Sequence, residues 1–136
     1  MKAYFGRRYM ISASHRLHTP ALSAEANSAA YGKCNNEYGH GHNYFLEVMV
    51  GGPVDEETGM VMDLVELDGI VGAHVIDRFD HANLNLDPLF ADRVPTTENF
   101  CTTVFDVLQQ SLPAGRLEHV RVEETENNFF ECSSRG

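Results

Sequence analysis

The chain has 136 residues and is 43% hydrophobic, enough for one domain with a sizeable core and too little for two. Its 20 Asp and Glu residues against 10 Lys and Arg give a formal charge of −10, which repels a phosphate backbone and argues against nucleic-acid binding. We therefore expect a single acidic domain spanning residues 1–136.

The sequence shows no sign of export or membrane insertion. No apolar run has the length of a membrane helix, and residues 1–8 lack the apolar segment and cleavage site of a signal peptide. The cysteines, Cys34, Cys101 and Cys132, are odd in number and widely spaced, which favours reduced thiols over a disulfide framework. We expect a cytoplasmic protein that does not bind membranes.

The first predicted element is a strand from about Lys2 to His15. Its side chains alternate in character, as expected of a strand with one buried face. Several apolar residues share their parity with the final histidine: Phe5, Tyr9, Ile11, Ala13 and His15. The next stretch, 16–33, is rich in Ala, Ser and Asn, contains Pro20 and has little periodicity, so we predict an irregular segment there.

A second strand is predicted from about His42 to Gly51, because 44–50 is largely apolar. Glycine, proline and acidic residues between 51 and 59 predict a turn. We predict that this turn leads into a short strand at Met60–Met62.

The first predicted helix covers about Leu64 to Ile76. Asp63 is in position to cap it, and Glu66 three residues later is typical of a capping box. Apolar residues recur every four positions at Leu67, Val71 and Val75. Two glycines weaken the helix by up to about 1 kcal/mol each, so tertiary packing must hold it.

The second predicted helix begins after the cap residue Thr96 and ends before Pro113. Its predicted buried stripe consists of Phe100, Val104, Val107 and Leu108. Two last strands follow, at about Glu118–Thr125 and Asn128–Cys132. The order strand pair, two helices, strand pair predicts an α+β domain with a four-stranded antiparallel sheet and two helices on one face.

The segment from Cys34 to Tyr44, CNNEYGHGHNY, carries the strongest functional signal. Side chains two apart in a strand point to one face, so His40 and His42 can bind one ion, and His15 can join them from a neighbouring strand. Three neutral imidazoles suit zinc, with the fourth tetrahedral position left for water or substrate. Cys34 could instead complete a closed structural site, or it could be a small buried hydrophobic residue.

Two further features are candidates for chemistry. Glu124 shares strand parity with Val120 and Val122, so its carboxylate falls on a side expected to be apolar, which is unfavourable unless it is paired. The alternative is a solvated acid in an acidic stretch. Asp80-His81 joins a carboxylate to an imidazole, and the carboxylate can fix the tautomer of a ring that shuttles protons.

In the order and spacing of its motifs, the chain resembles the 6-pyruvoyl-tetrahydropterin synthase family, which also includes 6-carboxy-tetrahydropterin synthases. The resemblance covers almost the whole chain. The matching segments are 12–17, 34–44, 58–64, 80–81, 95–99 and 124–128. The resemblance implies the tunnelling fold, in which three subunits join their sheets into a barrel and two such trimers stack as a homohexamer.

The same resemblance gives roles to individual residues. It implies a zinc site formed by His15, His40 and His42. It implies proton transfer by Cys34, Asp80 and His81. It implies contacts with a pterin for Glu124, Thr96, Thr97 and Glu98, and a carboxylate suits the two adjacent N–H donors of a pterin ring.

The activity implied is that of a zinc-dependent lyase, which converts 7,8-dihydroneopterin triphosphate to 6-pyruvoyl-tetrahydropterin with loss of triphosphate. The runner-up is 6-carboxy-tetrahydropterin synthase of queuosine biosynthesis. The cysteine of that branch commonly lies three residues before its His-Gly-His motif, whereas five residues separate Cys34 from His40 here. A non-catalytic zinc- or pterin-binding protein is the alternative from another class.

A pterin triphosphate is a polyanion, so an acidic chain needs local cations to bind it. The natural candidates precede or lie within the metal motif: Arg7, Arg8, Arg16 and Lys33. Each of them can equally be a solvated surface residue.

Overall fold

The computed structural model describes residues 1–134, which form a five-stranded sheet with helices packed against it. The strands are β1 (Lys2–His15), β2 (His40–Pro53), β3 (Ala82–Asn83), β4 (Leu117–Glu123) and β5 (Phe129–Ser133). Their order across the sheet is β3-β1-β2-β4-β5. Neighbouring strands are antiparallel except β1 and β3, which run parallel.

The helices are α1 (Ala24–Tyr31), α2 (Leu64–Val71) and α3 (Thr97–Ser111). Helix α2 continues through a π-helical turn at Gly72–Ile76 into a last α-helical turn at Asp77–Phe79. Short 3-10 turns occupy Gly32–Asn35, Leu84–Leu86 and Pro88–Phe90. Within residues 1–134, no helix is long and apolar enough to cross a membrane.

The pairing of β1 with β2 positions the candidate metal ligands. These two 14-residue strands are antiparallel over their full length, from Lys2 opposite Pro53 to His15 opposite His40. Alternate side chains of both strands face the helices. His15 is therefore the last member of a buried row that includes Ile11, and it ends beside the first residue of β2.

The core lies between one face of the sheet and the longer helical segments. Fully buried residues of the sheet include Leu46, Val48, Val120 and Val122, and those of the helices include Leu67, Val71, Val75, Phe100, Val104 and Leu108. Burying an aliphatic or aromatic side chain of this size stabilises the fold by about 1.5 to 3 kcal/mol. Such packing offsets the glycines of α2.

Several predicted boundaries are confirmed. The first strand has the predicted bounds. Asp63 and Thr96 cap their helices, because their side chains accept hydrogen bonds of 3.1 Å from the backbone N–H groups of Val65 and Asn99. Strand β2 begins two residues earlier than predicted, so that both histidines of the His-Gly-His motif lie within it.

The predicted four-stranded, wholly antiparallel sheet is wrong, because β3 adds a fifth strand parallel to β1. A two-residue strand is too short to leave a periodic signal in the sequence. The segment predicted to be irregular contains α1, capped by Ser23. The predicted strand Met60–Met62 is also wrong, since this stretch belongs to a loop in which the Asp55 N–H donates to the Met60 carbonyl at 2.9 Å.

Candidate active site

Three histidines from the paired ends of β1 and β2 form a compact group. One ring nitrogen from each of His15, His40 and His42 lies within 4.8 Å of the others. The ring centroids are 4.6 to 5.1 Å apart and the rings are nearly perpendicular. The pairing of His15 with His40, and the shared face of His40 and His42, thus bring the three predicted ligands together.

A backbone carbonyl fixes the orientation of His15. Its Nδ1–H donates to the Pro95 carbonyl oxygen at 2.7 Å, which leaves Nε2 with a free lone pair 3.1 Å from Nε2 of His40. Burial lowers the pKa of His15, and it also lowers that of His42, although the Pro95 carbonyl and a nearby carboxylate oppose the shifts. Both rings are therefore held neutral, which is the form that binds metals.

The donor set fits a zinc ion. Ligand nitrogens about 2.0 to 2.1 Å from a tetrahedral zinc are roughly 3.3 Å apart, close to the separation of the two Nε2 atoms. Nε2 of His42 is buried and has no hydrogen-bond partner, so it lacks an interaction that a metal would supply. The structure thus provides three candidate ligands for a metal, as predicted.

Glu124 lies beside this histidine group. It follows β4 directly, and one carboxylate oxygen is 3.7 Å from Nε2 of His42. The other oxygen accepts a hydrogen bond from the hydroxyl of Thr97, the first residue of α3. The Glu124 side chain is only 18% exposed, so this is a semi-buried carboxylate with room for a further donor rather than a freely solvated acid.

The other two residues of the predicted pterin-contacting stretch are placed differently. Thr96 caps α3 through its hydroxyl, which explains its identity without a ligand. Glu98 is exposed in the first helical turn. Of this stretch, only Thr97 contacts Glu124.

Cys34 lies in the 3-10 turn that precedes β2. Its carbonyl accepts from the Leu17 N–H at 2.8 Å, and Asn35 donates to the Leu17 carbonyl at 2.7 Å, so the turn is tied to the chain just beyond His15. The side chain is half-buried. Among residues 1–134, the group able to hold a metal contains the three histidines and not Cys34, which favours an open site over a closed Cys-His site.

Tyr44 is a site residue that the sequence analysis missed. It is fully buried, and its hydroxyl is 3.4 Å from Nδ1 of His15. Burial raises the pKa of Tyr44 well above its usual value, and Glu124 and Cys34 add to the rise. The hydroxyl therefore stays protonated near His15, Glu124 and Cys34. Its parity with His40 and His42 was the available signal.

The Asp80-His81 pair lies away from the histidine group, on the side of β1 that faces β3 rather than β2. The Asp80 carboxylate accepts from the Ser12 N–H at 2.9 Å, and the His81 N–H donates to the Ser12 carbonyl at 2.5 Å. The His81 side chain is 82% exposed, and its Nε2 is 3.6 Å from the Asp80 carboxylate. Within residues 1–134, no hydrogen bond or ion pair joins this pair to Cys34 or to the histidine group.

The four candidate cations fall into two classes. Arg7 is paired with Asp68 at 3.1 Å and Arg8 with Glu47 at 2.9 Å, so acidic partners already neutralise both. Arg16 donates to the Asn35 carbonyl at 3.2 Å, next to Cys34. In the described part of the chain, neither Arg16 nor Lys33 has a carboxylate within ion-pair distance.

Comparisons with known proteins show which family the chain resembles. The model of the family described as 6-pyruvoyl tetrahydropterin synthase matches residues 5–135. A human 6-pyruvoyl tetrahydrobiopterin synthase is 48% identical over 94% of this chain and 89% of its own length. A putative 6-carboxy-5,6,7,8-tetrahydropterin synthase of Archaeoglobus fulgidus is 36% identical over 82% of this chain and 88% of its own.

A solved structure extends the likeness to three dimensions. The Caenorhabditis elegans 6-pyruvoyl tetrahydropterin synthase superposes with a TM-score of 0.94 at 38% identity. The alignment covers 98% of this chain and 96% of that one.

Proposed function

This chain belongs to the 6-pyruvoyl tetrahydropterin synthase family of enzymes, and from that premise we propose that it is a zinc-dependent lyase acting on 7,8-dihydroneopterin triphosphate. The product would be 6-pyruvoyl-tetrahydropterin, with triphosphate as the leaving group. The observation that carries the proposal is the proximity of Glu124 to the group of three histidines. A carboxylate suited to anchor a pterin thus lies beside three side chains suited to bind a metal.

Glu124 would hold the pterin ring. One oxygen already accepts from Thr97, and the carboxylate keeps free lone pairs for the two adjacent N–H donors of the pterin edge. A charged acceptor with two donors makes a strong and directional pair. Such an anchor would place the pterin beside the histidine group, because the Glu124 carboxylate is 3.7 Å from Nε2 of His42.

His15, His40 and His42 would hold the zinc ion. When bound, zinc polarises oxygen atoms of the substrate and acidifies a proton on the adjacent carbon. The Pro95 carbonyl keeps His15 in the tautomer that presents Nε2, and outer partners of this kind typically contribute 10- to 100-fold to metal affinity.

Cys34 would act as the base. Its turn is fixed beside His15, and the thiolate form would take the carbon-bound proton. Asp80 and His81 would relay protons while the pterin tautomerises, with Asp80 orienting the imidazole. Asp80 and His81 lie next to β3, and Glu124 lies next to β4. These two strands are three strand spacings apart. Because neighbouring strands are about 4.8 Å apart, roughly 14 Å of sheet separates the two groups.

Association of subunits would bring Asp80 and His81 of one subunit to the histidine group of another. Strand β3 covers only Ala13 and Ser14 of β1, so most of that strand is an open edge, and β5 is the edge on the other side. Pairing of two different edges is a head-to-tail contact that closes into a ring, here a trimeric barrel within a hexamer.

In such a ring, the start of β5 from one subunit lies at the same end of the barrel as His15 of the next. The β4–β5 turn with Glu124 is at that end too, because neighbouring strands alternate in direction. Asp80 and His81 would thus serve the site of an adjacent subunit.

Arg16 and Lys33 would bind the triphosphate. They flank Cys34 and lack acidic partners among residues 1–134, in contrast to Arg7 and Arg8. Arg is suited to bidentate contacts with phosphate oxygens.

The 6-carboxy-tetrahydropterin synthase reaction uses the same substrate and needs the same anchor and metal. Five residues rather than three separate Cys34 from the His-Gly-His motif, which favours the pyruvoyl product. Higher identity to the human pyruvoyl enzyme than to the Archaeoglobus relative points the same way.

The test is to incubate zinc-loaded protein with 7,8-dihydroneopterin triphosphate and identify the pterin product by mass. We expect 6-pyruvoyl-tetrahydropterin and one inorganic triphosphate per turnover, with Cys34→Ala as a control that has lost most of the rate. A carboxylated pterin would instead assign the chain to the queuosine branch. Binding of the pterin with no product in any metal state would make it a binding protein.

A further inference from the structure

A second pair of reactive side chains lies away from the candidate active site. All three cysteines are free thiols, but Cys101 of α3 and Cys132 of β5 have their sulfur atoms only 3.7 Å apart. Cys101 is 1% exposed, whereas Cys132 is half-buried. Neither residue has a role in the proposed reaction.

The fold brings these thiols together across 31 positions of sequence. Cys101 lies on the buried face of α3, beside Phe100. Cys132 shares its parity with Phe130, so its side chain points from the edge strand toward that helix. This contact could not be predicted from the sequence, because a contact between a helix and an edge strand has no periodic signature.

We propose that Cys101 and Cys132 form a redox-sensitive dithiol that closes to an internal disulfide and fastens edge strand β5 to α3. The sulfur atoms are already in van der Waals contact and need to approach from 3.7 Å to about 2.05 Å. Because β5 is the last strand of the sheet and pairs only with β4 among the described strands of the chain, the shift disturbs a single strand pairing within the subunit.

The pair is asymmetric in a way that suits thiol–disulfide exchange. The hydrogen bond between the thiols lowers the pKa of Cys132, and the same contact together with burial raises the pKa of Cys101. Cys132 is also the more exposed of the two. It would therefore be the attacking thiolate and Cys101 the resolving thiol.

The oxidant is a low-molecular-weight disulfide such as glutathione disulfide. The Cys132 thiolate attacks one of its sulfur atoms, which forms a mixed disulfide and releases one glutathione thiolate. Cys101 then loses its proton, and its sulfur attacks Sγ of Cys132 and releases the second glutathione. The protein loses two electrons and two protons, and one glutathione disulfide becomes two glutathiones.

The consequence is a change in stability rather than in chemistry. A cross-link between Cys101 and Cys132 closes a loop that contains all of β4, and it restricts the unfolded chain more than the folded one. We expect the oxidised protein to have a higher denaturant midpoint of unfolding than the reduced protein, and dithiothreitol to reverse the shift.

The experiment treats reduced full-length protein with glutathione disulfide, blocks the remaining thiols with iodoacetamide and maps tryptic peptides. The expected product links the peptide ending at Arg116 to the peptide ending at Arg135. Cys34 lies on another peptide, and its mixed disulfide with glutathione reports that the oxidant was effective. If Cys34 is glutathionylated while Cys101 and Cys132 remain alkylated thiols, the proposal is overturned.

Two single variants separate the roles of the two thiols. With two variants, the proposal can still be tested if one of them misfolds. Cys101→Ala should trap glutathione on Cys132, because no resolving thiol remains. Cys132→Ser should leave Cys101 as an unmodified buried thiol. Neither variant should show the midpoint shift on oxidation. A shift that persists in Cys132→Ser would show that another site causes it and would also refute the proposal.

Discussion

Two regions of the sheet carry the ionisable groups of the proposed reaction, and they differ in how the chain surrounds them. At the paired ends of β1 and β2, the three histidines meet Glu124 within one chain, and each group contacts at least one of the others. On the outer side of β1, Asp80 and His81 are held by the backbone of Ser12, and the imidazole is 82% exposed.

The difference separates groups that one chain brings together from groups that only the proposed assembly would bring together. The histidine region is fixed by strand register and by hydrogen bonds to Pro95 and Thr97. The Asp80-His81 region has a fixed backbone but an imidazole that faces solvent, and in the proposed assembly it would meet another subunit. Variants in the two regions should therefore fail in different ways.

The largest effect is expected in the histidine region. His42→Ala removes one of the three candidate metal ligands. The loss of metal affinity should exceed the roughly 10- to 100-fold that outer partners contribute, and turnover should disappear. Metal analysis and product assay on one preparation check this.

His119→Ala is the matched control. That histidine lies on the other face of the sheet, 3.6 Å from Glu131, and its loss should leave both metal content and rate unchanged. Full zinc content in His42→Ala would remove His42 from the site.

Cys34→Ala probes the same region but should separate metal from chemistry. Because three imidazoles suffice for an open site, the variant should keep its zinc, while loss of a general base should reduce the rate by about 10² to 10⁴ at saturating substrate. Single-turnover kinetics and zinc analysis check this together. The control is Cys132→Ser, which should retain full rate when assayed under reducing conditions. If Cys34→Ala instead loses its zinc and folds poorly, Cys34 belongs to a closed structural site.

Much of the histidine region could be predicted from the sequence. The period of two in strands places His40 and His42 on one face, and the long first strand ends at His15. Glu124 was found in the same way, from its parity with two buried valines. These arguments work because each depends only on local geometry and on one buried face.

Other features could not be predicted, for physical reasons that differ. Tyr44 looked like any apolar strand residue, and its hydroxyl gains meaning only from the groups that surround it. Strand β3 is two residues long, and α1 has a weak apolar face, so neither carries a periodic signal. The contact of Cys101 with Cys132 depends on how a helix crosses an edge strand, which no spacing in the sequence records.

A third variant tests whether Asp80 and His81 act on another subunit. His81→Asn should keep zinc and pterin binding and lose about 10²-fold or more in rate, since it removes a proton-transfer group. Assemblies formed from mixed His81→Asn and Cys34→Ala subunits should regain part of the activity, because some sites then combine an intact Cys34 with an intact His81. Tag-based purification checks that the assemblies are hybrid. If such hybrids regain no activity, the proton relay acts within a single chain.

The smallest expected effect concerns the pterin anchor. Glu124→Gln keeps the shape of the side chain and an oxygen that can still accept from Thr97, but it presents an amide N–H₂ group where the pterin edge also donates. Leaving buried donors unpaired costs about 1 to 3 kcal/mol, so the Kd for a pterin should rise roughly 5- to 150-fold. The histidines are untouched, so zinc content should be unchanged.

Glu123→Gln is the matched control for the anchor. Glu123 is the neighbouring acid, but it points to the other face, where it is 3.1 Å from Arg121. The Glu123→Gln variant should therefore bind a pterin as tightly as the unmodified protein does, as measured by titration calorimetry. Equal affinities for both variants would remove Glu124 from the pterin site, and its proximity to the histidine group would then no longer support a pterin substrate.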